Sequence, residues 1–500
     1  MSSIAAQSEL QRDAILAGRF DMRVWTFVRF VIPLHVALVL LNFALDQQFL
    51  TACAHLAMAA IAWLVTMRCR DGIRIIIFTN VYWMFSVATY AYAFLNGQTA
   101  SYGLGNAERA ALVALVSQLA LYVACLLTPN RGVLLKIDEF KYIGRRSTLN
   151  TLQYPFLIVG VLGFIAGNYG LLSSAYAATL GYFLLVAMSI RLAGGKIAQD
   201  PILLGIFALM FYISASSSGR TALMALLFML GFAVLLLKEK IISFGTLIVA
   251  YFTMRLLSIF SALLLSVRWT RGTSVSTAEL FAAKFFALDT AFFLINPFYV
   301  HPVQLEAATA PENTSGFYSD FFRAGSDSLL QRLTLLPQMD IVVSKIHDIS
   351  TIRWDDLWGN IVWNVLPGIF GQDKDLLFSD QIVWELGLRD WASVGRPMIT
   401  VQGELYSIGG YACVFLVTFY LYYMMSYMYG VMARMMGGRV TAILIMSQFF
   451  VNGLVSTTLL SVAMASTRTP FQFIVLLSVI FFIFRMFTKR DKPLRKRKFA

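Results

Sequence analysis

Arg220 stands in a run of small residues, Ser216-Ser-Ser-Gly-Arg-Thr221, and Arg268 and Arg271 lie three apart. A guanidinium is a planar fork of N–H donors matched to phosphate oxygens. Small neighbours let backbone amides approach the same anion, and Gly219 permits a tight turn. A helix starting at Thr221 would aim its N-terminus there as well. The spacing of Arg268 and Arg271 puts both on one helical face. The three together predict a cationic site for phosphate or diphosphate. The plainer reading of Arg220 is a snorkelling side chain in a polar hairpin. Arg255 sits in the middle of an apolar run, where burying a charge costs about 2.5–3.5 kcal/mol; an internal ion pair or a carbonyl clamp is its plainer reading.

Other groups stand in the stretch 268–404. Arg323 and Arg332 flank the segment 321–338, whose Leu329, Leu330, Leu333 and Leu336 recur at helical spacing; it reads as an amphipathic helix along a membrane surface. Trp354 and Trp358 are four apart and suit either an interfacial belt or a platform for sugar CH faces. Residues 278–300 are apolar and aromatic but carry Lys284 and Asp289, which predicts a re-entrant or interfacial piece rather than a full span. The stretch ends with Arg396, Pro397, Glu404 and Tyr406, followed by Gly409-Gly410, a pair that favours close helix packing. Asp373-Lys-Asp375 and Asn313-Thr-Ser315 match short metal and glycosylation patterns that an acidic loop yields by chance. The four histidines show no metal-ligand spacing, and no cysteine lies in this stretch, so neither a metal site nor a disulfide framework is expected.

These residues must be positioned by membrane helices. Apolar residues make up 58% of the chain and charged residues 13%, and runs of about 20 apolar residues recur. Twelve spans are predicted: 24–46, 48–67, 74–95, 109–128, 150–168, 171–190, 201–215, 221–237, 241–265, 405–428, 440–462 and 470–487. Only 268–404 breaks the pattern. It holds 16 of the 27 acidic and 10 of the 40 basic residues, a net charge of −6, against +19 for the remainder. That excess falls on alternate connections, and positive loops stay cytoplasmic. The expected organisation is a cytoplasmic N-terminus (1–23), a nine-span region (24–267), a periplasmic loop domain with interfacial helices (268–404), a three-span region (405–487) and a basic cytoplasmic tail (488–500). The charge is thus a topology signal, and no nucleic-acid partner is expected. Residues 1–23 lack a signal-peptide pattern, and 8–22 predict a short amphipathic helix. With no Walker motif and no inverted repeat, an ATP-driven machine or a symmetric transporter is disfavoured.

The chain resembles the Wzy-type O-antigen and exopolysaccharide repeat-unit polymerases of bacteria. The resemblance rests on the span count with its large late loop, on Ser216–Thr221, and on Arg396-Pro397 through Gly403-Glu404-x-Tyr406 to Gly409. The order Ser-Gly-Arg departs from the Gly-Ser-Arg frequent in relatives. The resemblance implies an all-α polytopic membrane protein with a GT-C-like lipid-linked glycosyltransferase architecture. It implies a metal-independent enzyme of the inner membrane, without a cofactor, that joins undecaprenyl-diphosphate-linked oligosaccharides at the periplasmic face. A polysaccharide chain-length regulator is a candidate partner beside the bilayer itself. The leaving diphosphate would be held by Arg220, then by Arg255, Arg268, Arg271, Arg323, Arg332 and Arg396. Glu404 is the first candidate general base, with Asp327 and His301 behind it, and Trp354, Trp358 and Tyr406 would contact glycan. An O-antigen ligase and a lipid-linked oligosaccharide flippase are the competing readings.

Overall fold

The computed structural model describes residues 2–128, 146–168, 174–193, 200–216, 221–238, 277–296, 333–346, 378–386, 399–436, 438–453 and 458–487, with single positions between them. Among these, every element is a helix. Four helices are long and apolar enough to cross a membrane: Gln11–Asp46 within α1 (Ser2–Asp46), α2 (Phe49–Arg68), α5 (Ala107–Leu127) and α14 (Val401–Met435). A bent pair, α3 (Gly72–Phe78) with Tyr82–Leu95, makes a fifth; its second arm is a π turn, Tyr82–Val87, running into α4 (Ala88–Leu95). These are the dimensions of a helical membrane protein. α6 (Arg146–Asn168), α7 (Ser174–Ala193), α8 (Pro201–Ser216) and α9 (Thr221–Leu237) fall on four further predicted spans. So do α15 (Arg439–Gly453) and α17 (Thr469–Phe487). The predicted span 241–265 is described only at scattered residues.

The loop region contributes α10 (Thr277–Phe285), α11 (Leu288–Ile295), α12 (Leu336–Ser344) and α13 (Phe378–Glu385). The apolar stretch at 278–300 is thus two short helices parted at Phe286 and Ala287. The bundle has a basic end, where Arg68, Arg74 and Arg439 lie, and a loop end, where Asp46, Asn106 and Val401 lie.

Three departures from simple spans matter. First, no short amphipathic helix is set apart at 8–22: α1 runs unbroken from Ser2 into the membrane stretch. Its lower half is tied down at the basic end. Asp13 accepts the N–H groups of Arg439 (2.9 Å) and Val440 (3.1 Å), the first amides of α15. Asp21 takes Arg439 in a forked pair (2.7 and 2.8 Å) and also accepts Gly72 N–H (2.8 Å). A Cβ at Gly72 would lie 2.9 Å from the Phe20 ring, so this approach needs glycine. Asp71 caps α3 and completes the cluster at 2.9 Å from Arg439.

Second, the third span bends by 57° at residues 79–81. A break inside a membrane frees backbone groups that lipid cannot satisfy. Gln118 of α5, fully buried, supplies both partners: its Nε2 donates to Phe78 O (2.8 Å) and its Oε1 accepts Tyr82 N–H (2.9 Å). Third, α14 starts at Val401, capped by Thr400 Oγ1 on Gly403 N–H, and breaks at Gly409 and Gly410. Gly410 has φ 60° and ψ −150°, a conformation reserved for glycine. A Cβ there would meet nothing within 4 Å. The expectation that this pair serves close packing is therefore corrected: the two glycines break the helix.

Candidate functional site

Of the sequence-predicted site residues, Glu404, Tyr406, His301 and Arg255 lie within the described chain. Arg220, Arg268, Arg271, Arg323, Arg332, Arg396, Asp327, Trp354 and Trp358 lie outside the described residues.

Glu404 is 1% exposed in the first turn of α14, the end of a helix that favours a negative charge. Its Oε2 accepts the N–H of Leu459 (2.8 Å), the first residue of α16 (Leu459–Ala463). The carboxylate thus joins two helix N-termini. Five residues on, the glycine break turns the chain. Just before it, Tyr406 stands edge-to-face with Tyr411 at 5.1 Å, and Tyr411 is 39% exposed. Amphipathic rings of this kind can take sugar CH faces and hydroxyls together.

Arg255 acts as a carbonyl clamp. Its Nε and Nη2 donate to Phe293 O, and Nη2 also reaches Asn296 O (2.7 Å) and Tyr299 O (3.2 Å), with its guanidinium 3.5 Å from the Phe293 ring centroid. Phe293 O and Asn296 O lie at the C-terminal end of α11, and Tyr299 O lies in the chain just beyond it. The clamp engages the donors that a diphosphate would need. His301 is 4% exposed beneath α11, with Nε2 3.3 Å from Thr290 Oγ1 and an edge-on contact to Phe293. Neither residue is brought to Glu404 by any contact described.

The loop is built into the bundle. α12 packs against α5, α14 and the π turn Tyr82–Val87. Leu335 donates its N–H to Met84 O (3.0 Å), and Thr334 Oγ1 reaches Ala88 O (3.4 Å). Leu336, Met339, Val342 and Val343 are buried. The predicted surface helix 321–338 is therefore corrected in its described part: Leu336 faces the protein core, because helical periodicity cannot distinguish a lipid surface from a neighbouring helix. Asp340 accepts Gly105 N–H (2.6 Å) and Asn106 N–H (2.8 Å) at the start of α5. Burial pushes its carboxyl up from the ordinary value of 3.8, and the two amides pull it back.

Two residues escaped the sequence reading. Asp340 is one acid among sixteen in the loop, and only its contacts single it out. Arg468 ends the π turn Met464–Arg468, is 8% exposed, and sits on a turn that packs against α14, α15, α16 and α17. The sequence assigns 463–469 to a link between spans; an arginine flanked by Ser466, Thr467 and Thr469 within apolar chain was the available signal. π turns often mark functional positions, and buried membrane cations rarely lack a role. Among the described residues no group of three or more His, Cys, Asp or Glu side chains could hold a metal.

Comparison with protein-family models, with curated proteins and with solved structures finds no match to this chain.

Proposed function

We propose that the chain is a twelve-span polysaccharide polymerase of the bacterial inner membrane. In this reading both termini are cytoplasmic and the large loop is periplasmic. The enzyme joins undecaprenyl-diphosphate-linked oligosaccharide repeat units without a metal. An acceptor hydroxyl attacks the anomeric carbon of the donor sugar. The bond from that carbon to the diphosphate oxygen breaks, and the lipid diphosphate leaves. The hydroxyl proton passes to a general base, and the charge on the leaving group is met by guanidinium donors. The observation that carries the reading is the burial of Glu404 at the head of a helix broken by Gly409 and Gly410. It lies in the segment on which the family resemblance rests, with Tyr406 and the Arg468 turn packed on the same helix. Arg220, Arg268 and Arg271 remain the proposed diphosphate donors.

Deleting the gene tests the assignment. Lipid-linked single repeat units should accumulate; long polymer left on its lipid would indicate a ligase instead. Purified Glu404→Gln keeps its shape but cannot accept a proton at neutral pH. Its transfer rate should fall by about two to four orders of magnitude with donor binding retained. Unchanged turnover in a folded Glu404→Gln would remove Glu404 from the reaction.

A further inference from the structure

A second site lies at the opposite, basic end, on the lipid-facing side of α1 and α2. The Arg29 guanidinium is held between two indoles, 3.9 Å from the Trp25 ring centroid and 4.5 Å from that of Trp63. Both rings lie within stacking distance of the cation, which leaves its rim of N–H groups to act. Nε reaches Thr66 Oγ1 at 3.4 Å, and Nη2 rests on the Met67 sulfur, a weak acceptor. An arginine carries five N–H donors, so most of this rim meets no oxygen among the described residues. No carboxylate pairs with it among them either. Arg29 differs in this from Arg191, which is forked onto Asp200, and from Arg439, which is held by Asp21 and Asp71.

The surroundings are those of a lipid contact. Phe27 and Phe30 on α1 are 60% and 72% exposed, and Leu64 and Met67 on α2 are 45% and 61% exposed. Arg68 closes the last turn of α2 one residue beyond Met67. Exposed apolar side chains thus border a cation that pairs with no carboxylate among the described residues. Apolar surface takes an acyl chain, and a guanidinium rim takes phosphate oxygens. Trp25 and Trp63 have the amphipathic rings enriched at headgroup level.

We propose that Arg29, Trp25 and Trp63 form a binding site for the phosphate of an anionic phospholipid in the leaflet at the basic end. Arg29 binds the phosphate through the N–H groups that meet no oxygen among the described residues, the two indoles fix its orientation, and Phe30 and Leu64 border the acyl chain. The site is independent of the proposed polymerase chemistry.

The test uses the full-length purified protein in a neutral detergent. Phosphatidylglycerol, phosphatidylcholine and inorganic phosphate are added in turn, and bound lipid is counted by native mass spectrometry beside thermal unfolding. Phosphatidylglycerol should raise the melting temperature and persist as an adduct, as expected of a ligand that binds only the folded state. Phosphatidylcholine should do so less, and inorganic phosphate not at all. Arg29→Gln should weaken phosphatidylglycerol binding by about tenfold, equivalent to ~1.4 kcal/mol. Arg29→Lys should recover part, keeping charge without the fork. Trp63→Leu, which leaves the cation but removes one wall of the cage, should also weaken binding. Equal responses to the two lipids, a response to inorganic phosphate alone, or full phosphatidylglycerol binding by Arg29→Gln would each overturn the site.

Discussion

Asp340→Ala should release α12 from the head of α5. The carboxylate accepts two backbone N–H groups at 2.6 and 2.8 Å. A hydrogen bond contributes about 0.5–1.5 kcal/mol net. Burial costs the charged carboxyl more than the two amides return, which is why its titration is raised. Gly105 and Asn106 are also open enough for water to replace the lost acceptor. A net loss of roughly 1–3 kcal/mol follows, a shift of about 5- to 150-fold in the local opening equilibrium. Ser344 reports that opening, because a Cβ at Gly105 would lie 2.9 Å from the Ser344 Cβ. A Ser344→Cys thiol is half-buried against Gly105 while α12 is docked and becomes open on release. With the exposed Cys53 changed to serine, the rate of maleimide labelling at 344 should rise in Asp340→Ala. Asp340→Asn keeps one acceptor oxygen and should lie between. Identical labelling rates in the aspartate and alanine proteins would refute the reasoning.

The same contact predicts a pH dependence. Folding raises the Asp340 carboxyl above 3.8, so it favours the protonated form; this contribution is whole below about pH 3.8 and is lost as pH climbs past the raised value. Corrected for the thiolate fraction, which itself rises with pH, labelling at position 344 should therefore quicken from pH 4 upward through that range, and Asp340→Asn should flatten the corrected profile. Gly410→Ala should lower thermal stability by roughly 1–3 kcal/mol from backbone strain alone, since the side chain itself would meet nothing. Gly231→Ala, at an open helical site, should instead stabilise by about 0.5–1 kcal/mol. Arg439→Gln leaves Asp21 and Asp71 facing one another. With Arg439 34% exposed, its cost should fall between the exposed and buried limits, roughly 1–4 kcal/mol in thermal unfolding.

The helical membrane class was legible because hydrocarbon thickness sets a length that composition displays directly. α2 and α9 begin and end within a residue of the runs that predict them. The bend at 79–81 was not legible: Thr79 and Asn80 are only mildly polar, no proline or glycine marks the place, and Gln118, which makes it tolerable, lies 36 residues beyond Tyr82. Gly409-Gly410 was visible as a pair, but composition cannot distinguish an open kink from a close approach. The helical spacing of Leu333 and Leu336 was visible too, without saying whether lipid or protein covers that face. At the candidate site, Glu404 and Tyr406 could be picked out because a polar segment abuts a span. Arg468 offered only its polar flank in apolar chain, since its burial depends on a π turn that no local pattern signals. Arg255 was read with two alternatives, and the carbonyls of α11 decide for the clamp.

These irregular features share one neighbourhood. The turn Met464–Arg468 packs on α14, the helix that the glycine pair breaks, and the turn Tyr82–Val87 packs on α12, which itself packs on α14. Specific partners meet backbone groups beside these features: Gln118 at the bend, Leu335 at Met84 O, Glu404 at Leu459 N–H. A bundle evolved only to span a bilayer would have little reason to retain such breaks, each of which exposes backbone groups to a medium that cannot bond them. In the proposed function, the breaks on and beside α14, whose first turn holds Glu404, direct the search for chemistry to the loop end. The packing there also constrains how a substrate could reach it. If access to Glu404 requires the loop to move, that movement must break the Asp340 and Leu335 contacts. Asp340→Ala would then ease substrate binding while weakening the fold. If the route runs elsewhere, the same variant should loosen α12 and leave substrate affinity unchanged. Labelling at 344 and donor binding measured on one protein separate the two.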